Sequence, residues 1–287
     1  MTVASALDAG QQASGLWHSS IVSRTGAFAI VGCVAAVNGF AGQIATAFYS
    51  QPLLVTILDL GGVSAIVWFA IGMLFMIAAE APGGAPARPA DKAVLGLTLA
   101  MSFVPLNFAA AVALLLCGAW LVLTSAGGSA DRRIAIIMLA LTGPLIWGRF
   151  LLAFMGPLLL ELDASIAGLI AGTPVQGNVV SLPRNHGSLY VALGCSSVHN
   201  MSLAVLLFAA VTQALALRLT PMLLLTGLTA VLAMAVVNIL RLATLARFPE
   251  HFDLFHTGWG GSLFGALSFI AAGAIIAWGV HHARLAR

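Results

Sequence analysis

The sequence predicts an all-α polytopic membrane protein, with about eight transmembrane helices and a small extracytoplasmic β-hairpin before helix six. Three observations predict it. Hydrophobic residues make up 61% of the 287 and charged residues only 7%, whereas a soluble domain carries about 25% charged residues to cover its surface. Long apolar runs recur along the chain, and about 20 such residues suffice to cross a bilayer. One stretch, 175–193, interrupts them with two short strand-like segments around a turn-rich link.

The elements follow in order. Residues 1–26 are mostly small and polar, which reads as a cytoplasmic N-terminal segment. A cleavable signal needs a basic start, a short apolar core and a small-residue cleavage site, so the first helix is expected to stay as an anchor. Apolar runs at 27–45, 60–79, 107–125, 134–157, 199–217, 221–240 and 259–280 predict seven crossings. The run from 93 to 124 is too long for one helix and carries Pro105 and Asn107 near its middle. Proline removes a backbone donor and disfavours helix just before it. A tight turn there, after a short helix at 91–104, gives the eighth crossing; seven crossings with one long kinked helix is the alternative.

Charge orients this arrangement. With eight crossings, Arg24, Arg88, Lys92, Arg132, Arg133, Arg218, Arg284 and Arg287 share one side with both termini, eight of the twelve basic residues. Arg184, Arg241 and Arg247 fall on the other side, and Arg149 lies within a helix. Excess Lys and Arg marks the cytoplasm, so the expected location is the cytoplasmic (inner) membrane with both termini inside. The outer face then carries residues 158–198. Within them 158–170 reads as a short amphipathic or interfacial segment. Segments 175–182 and 188–193 read as strands joined through Pro183, Arg184, Asn185, His186 and Gly187. No internal repeat or low-complexity linker divides the chain, so 1–287 reads as a single integral membrane domain.

Several function classes are excluded. The net charge of +3 is small and scattered, unlike the basic patch of a nucleic-acid binder. There is no His-Glu-x-x-His, Gly-x-Ser-x-Gly or Gly-x-x-x-x-Gly-Lys motif. No Cys/His group has metal-ligand spacing, so neither a metal nor another cofactor is expected. Three cysteines cannot all pair; Cys33 and Cys117 sit in apolar runs as packing residues, while Cys195 lies among Gly194, Ser196 and Ser197. His186 and His251 read as loop residues, and His281 and His282 as a solvated tail.

The polar exceptions collect at the outer face. Cys195 falls at the outer start of helix six, Arg241 at the outer end of helix seven and His256 at the outer start of helix eight. These helices are consecutive and joined by short connections, which favours neighbours in space. Helix N-termini and nearby cations favour the thiolate, the nucleophilic form of cysteine. His256 is suited to protonating a leaving amine or activating an incoming nucleophile, and Arg241 to holding a thiolate or an oxyanion. His199, four residues after Cys195, competes for the base role. Arg149 is expensive inside a bilayer unless paired and about eight residues from the expected outer helix end, so it is a candidate to line the site or bind a substrate group. Plainer readings stand beside these: an inert cysteine, an interfacial anchor arginine, and His256 in an aromatic cluster with Phe255 and Trp259.

Taken together, these residues resemble the exosortase/archaeosortase family of membrane-embedded cysteine transpeptidase-like enzymes. The resemblance runs over 145–273 and rests on Gly194-Cys195-Ser196 after a hairpin, Asn238-x-x-Arg241 at a helix end, and Phe255-His256-x-x-x-Gly260 opening the last helix. The stretch 149–159, with Arg149, Phe150, Leu151, Phe154 and Pro157, looks like the family's pre-hairpin helix. The resemblance implies a cysteine-type endopeptidase or transpeptidase that cleaves C-terminal sorting signals of exported proteins, each a short motif, a transmembrane helix and a basic tail. Cys195 would be the nucleophile with Arg241 and His256 as partners, and Ser196, His199, Asn238 and Arg149 in support or against substrate. The implied partners are membrane-anchored substrates, the lipid bilayer, and water or an amine- or hydroxyl-bearing acceptor that resolves the acyl-enzyme. The departure is Ser197-Val198-His199, where the family usually has Gly-Leu-Arg after Cys-Ser.

A transporter or channel, with Arg149 and Arg241 lining an anion path, is the alternative. Transport sites usually lie near the midplane at broken helices of two repeats, and the sequence shows no such repeat. A non-catalytic assembly factor that keeps the fold is a third reading, supported only by His199.

Overall fold

The computed structural model describes residues 23–81, 84–256 and 258–285. The N-terminal segment read from the sequence lies outside them except for its last four residues. The described residues form two compact units, Met1–Ile146 with Ala209–Leu217, and Trp147–Phe208 with Arg218–Arg287.

The first unit is helical. It contains α1 (Arg24–Gly39), α2 (Ala41–Ser50), α3 (Leu53–Leu58), α4 (Ala65–Ala79), α5 (Pro89–Ser102), α6 (Asn107–Thr124) and α7 (Ala130–Thr142). Serine hydroxyls open three of these, Ser23 accepting from the Gly26 amide, Ser64 from Ile66 and Ser129 from Arg132, each satisfying an amide the helix leaves free. Pro89 opens α5, where its missing donor is not needed. Pro105 lies in the turn between α5 and α6, as the sequence predicts. α1 and α2 meet at a bend of 49°, so the expected helix at 27–45 is two pieces. Phe28, Leu74, Leu114, Ile134 and Met138 are fully buried between these helices.

One polar knot ties this unit together. The Arg24 guanidinium donates to both oxygens of Asp91 at 2.9 Å, to Asp131 at 2.6 Å, to Thr124 at 2.6 Å and to Ser125 at 3.0 Å. Asp91 also accepts from the Trp120 indole at 2.8 Å and the Arg88 amide at 2.9 Å. Buried charges persist where such partners replace water.

The second unit carries the candidate site. Ala130–Ala171 is one helical run of 42 residues, broken in pattern only by a π-helical turn at Gly143–Trp147. Its second part, α8 (Gly148–Ala171), contains Pro157. The sequence reading ends a crossing at 157 and starts a separate segment at 158, but the helix continues to Ala171. Proline costs a helix one hydrogen bond and some bending. Here Leu160, Ala164, Ala167 and Ala171 continue the buried face beyond it, and Gly172, at φ 70°, ends the helix.

A three-stranded antiparallel sheet follows, β1 (Val175–Gln176), β2 (Val179–Ser181) and β3 (Ser188–Tyr190). The expected first strand at 175–182 is itself a hairpin, because Gly177 takes φ 59° and turns the chain. Val175 pairs with Val180, and Val180 with Leu189. Val180 and Leu189 are both buried. After the sheet come α9 (Ser197–Ala214), α10 (Pro221–Arg247), α11 (Phe252–His256) and α12 (Trp259–Leu285). The core of this unit joins α8, the sheet, α9 and α10 through Leu160, Ala164, Val180, Val191, Val198 and Leu242.

Among the described residues four helical stretches are long and apolar enough to cross a membrane, or five with the bent pair taken as one span: Ala130–Ala171, Ser197–Ala214, Pro221–Arg247, Trp259–Arg284, and α1 with α2. α4 and most of α6 are apolar but shorter. The fold is that of a helical protein with several helices long and apolar enough to cross a membrane, and one small sheet.

Candidate active site

The site residues are held by the second unit. Cys195 ends a 3-10 turn, Leu193–Cys195, between β3 and α9. The turn closes on itself, the Cys195 amide donating to the Ala192 carbonyl at 2.9 Å and the Ser196 amide to that of Leu193 at 3.4 Å. Ser196 is extended, at φ −66° and ψ 145°, and its hydroxyl accepts from the Val198 amide at 3.2 Å. Serine there does what an N-cap does for a free first-turn amide. Cys195 is half-buried, and its thiol makes no hydrogen bond among the described residues.

Two side chains from distant helices anchor this turn. Asn238 on α10 donates to the Cys195 carbonyl at 2.9 Å and to the Ser197 hydroxyl at 3.3 Å, and accepts from Asn200 at 3.0 Å. Asp163 on α8 accepts from the Ser197 amide at 2.8 Å. Both are buried, at 3% and 6% exposure.

Arg241 lies one turn after Asn238 on α10, so both extend from one side of that helix. Its Nε donates to the Phe255 carbonyl at 3.3 Å and one terminal nitrogen to the His256 carbonyl at 2.9 Å. It therefore caps the C-terminal end of α11, where carbonyls lack helical partners and a cation is favoured. His256 is further placed by its ring, which stacks on Phe252 with centroids 4.9 Å apart. Phe255 meets Phe264 edge-on at 6.5 Å. Cys195, Phe252 and Phe255 all pack against one hydrophobic cluster built from α8, the sheet, α9 and α10.

The expected residues are thus linked through α10, by hydrogen bonds to the backbone of Cys195 and to that of His256. Asn238 grips the Cys195 segment and Arg241 the His256 segment. The Arg241 contacts are to backbone carbonyls, so its geometry supports a role in orienting α11, beside the thiolate- or oxyanion-holding role expected from sequence. Arg149 is exposed near the start of α8, 22 residues before its end, about 33 Å along the helix. The sequence reading places it about eight residues from an outer end, an expectation that falls with the continuation of α8 past Pro157. It lies within electrostatic reach of exposed His199. No group of three or more His, Cys, Asp or Glu suited to hold a metal occurs among the described residues.

Sequence reasoning missed Asp163 and Asn200. Asn200 carries no separate signal. Asp163 sits in the stretch read as interfacial, where an acid belongs on the wet side. Two acids, Glu161 and Asp163, within a mostly apolar helical stretch were the available signal. Compared with protein-family models, curated proteins and solved structures, the chain matches none.

Proposed function

We propose that this chain is an exosortase-like membrane cysteine peptidase or transpeptidase, acting on C-terminal sorting signals of exported proteins through an acyl-enzyme on Cys195. The observation that carries the reading is the pairing on α10. Asn238 holds the carbonyl of Cys195, and Arg241, one turn on, holds the carbonyls of Phe255 and His256. A thiol and an imidazole from separate elements are thereby tied to one helix, which supports reading them as a nucleophile and its acid–base partner.

In this mechanism the Cys195 sulfur, as thiolate, attacks the scissile carbonyl carbon. The carbon–nitrogen bond breaks, and the leaving amine takes a proton from the His256 imidazolium. The substrate's C-terminal helix departs and the thioester remains. Water, or an acceptor bearing an amine or hydroxyl, then attacks the thioester and gives its proton to the neutral imidazole, and the thiolate leaves. Arg241 keeps His256 in place, and Ser196 and Asn238 hold the nucleophile's turn. Arg149 and His199 are the residues proposed to meet the substrate's own helix. About eight crossings, both termini in the cytoplasm and Cys195 at the outer face of the cytoplasmic membrane belong to the same proposal.

The test is Cys195→Ala in the native host, following surface proteins by mass. Retention of unprocessed precursors supports the reading, and normal maturation overturns it. A membrane-impermeant thiol reagent tests the orientation: it should modify Cys195 in intact cells, whereas labelling only after lysis contradicts the assigned sidedness.

A further inference from the structure

We propose that Asp163 is a positioning residue for the Cys195 nucleophile, the partner of Asn238 in a two-sided clamp on the turn that carries the thiol. This rests on the peptidase reading above.

The turn needs such a clamp. Leu193 and Gly194 are exposed, and a Cβ built on Gly194 meets nothing within 4 Å, so that side of the turn is open. Besides the packing of Cys195 on the hydrophobic cluster, the hydrogen bonds that tie the segment 193–197 to distant residues run, among the described residues, to Asn238 and Asp163, with a long hydroxyl bond from Ser197 to the Ala235 carbonyl at 3.5 Å. Asn238 takes the carbonyl on the C-terminal side of Cys195, and Asp163 takes the amide two residues later. One restraint comes from α10 and the other from α8. Together they restrain the backbone immediately following the thiol.

The choice of an acid has a physical reason. The Ser197 amide opens α9, where helix donors lack internal partners and a negative charge is favoured. A buried carboxylate there makes a charge-assisted hydrogen bond, stronger than one from a neutral acceptor. A nucleophile must be held close to its attack geometry, and a displacement of about 1 Å can cost about 10²-fold in rate. Asp163 makes no hydrogen bond to the thiol among the described residues; its effect passes through the backbone of Ser197.

The experiment uses the full chain in detergent or nanodiscs, with two readouts that do not depend on an identified substrate. Hydrogen–deuterium exchange reports the amides of 196–200, and mass spectrometry of the Cys195 peptide after iodoacetamide treatment reports thiol access. Asp163→Ala should speed exchange at Ser197 by about 10-fold or more and change the alkylation rate in protein that remains folded, with a moderate drop in the overall unfolding midpoint. Asp163→Asn, which keeps an acceptor oxygen, should restore both to within about 3-fold. In the host, Asp163→Ala should slow precursor maturation and Asp163→Asn should recover most of it.

If Asp163→Ala does not accumulate, Asp163→Glu carries the test. Its displaced carboxylate should alter exchange and alkylation in folded protein. Wild-type exchange and alkylation in the folded Ala or Glu variant would overturn the clamp. So would exchange in Asp163→Asn as fast as in Asp163→Ala. Normal maturation in Cys195→Ala, with the clamp readouts as expected, would instead remove the peptidase reading and with it the positioning role, leaving only a structural clamp.

Discussion

The side-chain amide of Asn238 lies 2.9 Å from the carbonyl oxygen of Cys195, a residue 43 positions away in sequence. That bond fixes the turn bearing the thiol to the long helix α10, and the same side chain accepts from Asn200 on α9. Asn238 is buried, so its partners are left without water to replace the bond when it is removed.

Asn238→Ala should therefore cost about 1–3 kcal/mol of stability and lower processing more than its stability loss explains. Thermal unfolding of the purified protein beside maturation in cells separates the two. Asn238→Asp is the sharper variant, since a carboxylate cannot donate to the Cys195 carbonyl; it should be no better than alanine in activity.

Arg241 holds two adjacent carbonyls, and the fork is what does so. A lysine has a single ammonium and no planar fork. Arg241→Lys should therefore lose about 10-fold or more in activity while retaining the charge, and Arg241→Ala should lose more. Processing rates at equal protein level test this. Equal activity in Arg241→Lys would return the role to charge alone.

His256 and His199 differ in setting, one held by the stacked ring of Phe252 and the other exposed near Arg149. His256→Ala should abolish processing, and His199→Ala should reduce it only mildly. The reverse order would move the acid–base role to His199.

Gly260 permits the close return of the chain after α11. A Cβ there would lie 2.9 Å from the Leu254 carbonyl oxygen and 2.7 Å from the Phe255 ring. Backbone cannot yield cheaply, so Gly260→Ala should destabilise by about 1–3 kcal/mol and displace His256. Thermal unfolding and processing should fall together.

In the first unit, Asp91→Ala leaves Arg24 with one carboxylate fewer in a buried site where Asp91 is 1% exposed. Breaking such a pair costs about 3–5 kcal/mol. The variant should accumulate poorly or unfold at a clearly lower temperature.

Much of this arrangement was legible in the sequence. Pro105 marked the turn between α5 and α6, because proline punctuates helices locally. Asn238-x-x-Arg241 was legible as a motif near a helix end, and its three-residue spacing sets both side chains on one side of α10. Pro157 misled, since helix beyond it is sustained by packing of Leu160, Ala164 and Ala167 that no local rule registers. The split of 175–182 turned on Gly177, a lone glycine in a strand-like run. Asp163 was hidden by the same misreading as Pro157: once 158–170 is taken as interfacial, an acid there needs no partner. The role of Arg241 was visible as to place but not as to contact, because which carbonyls it meets depends on how α11 folds back.

The most direct test of the central claim is the mass of the Cys195 peptide from wild-type protein incubated with membranes of the native host. The account predicts a substrate-derived acyl adduct on Cys195, released by hydroxylamine as a thioester is. It should be missing in Cys195→Ala and should accumulate when acceptor attack is slowed. Complete precursor cleavage with no hydroxylamine-sensitive adduct on Cys195, or cleavage that persists in Cys195→Ala, would contradict it.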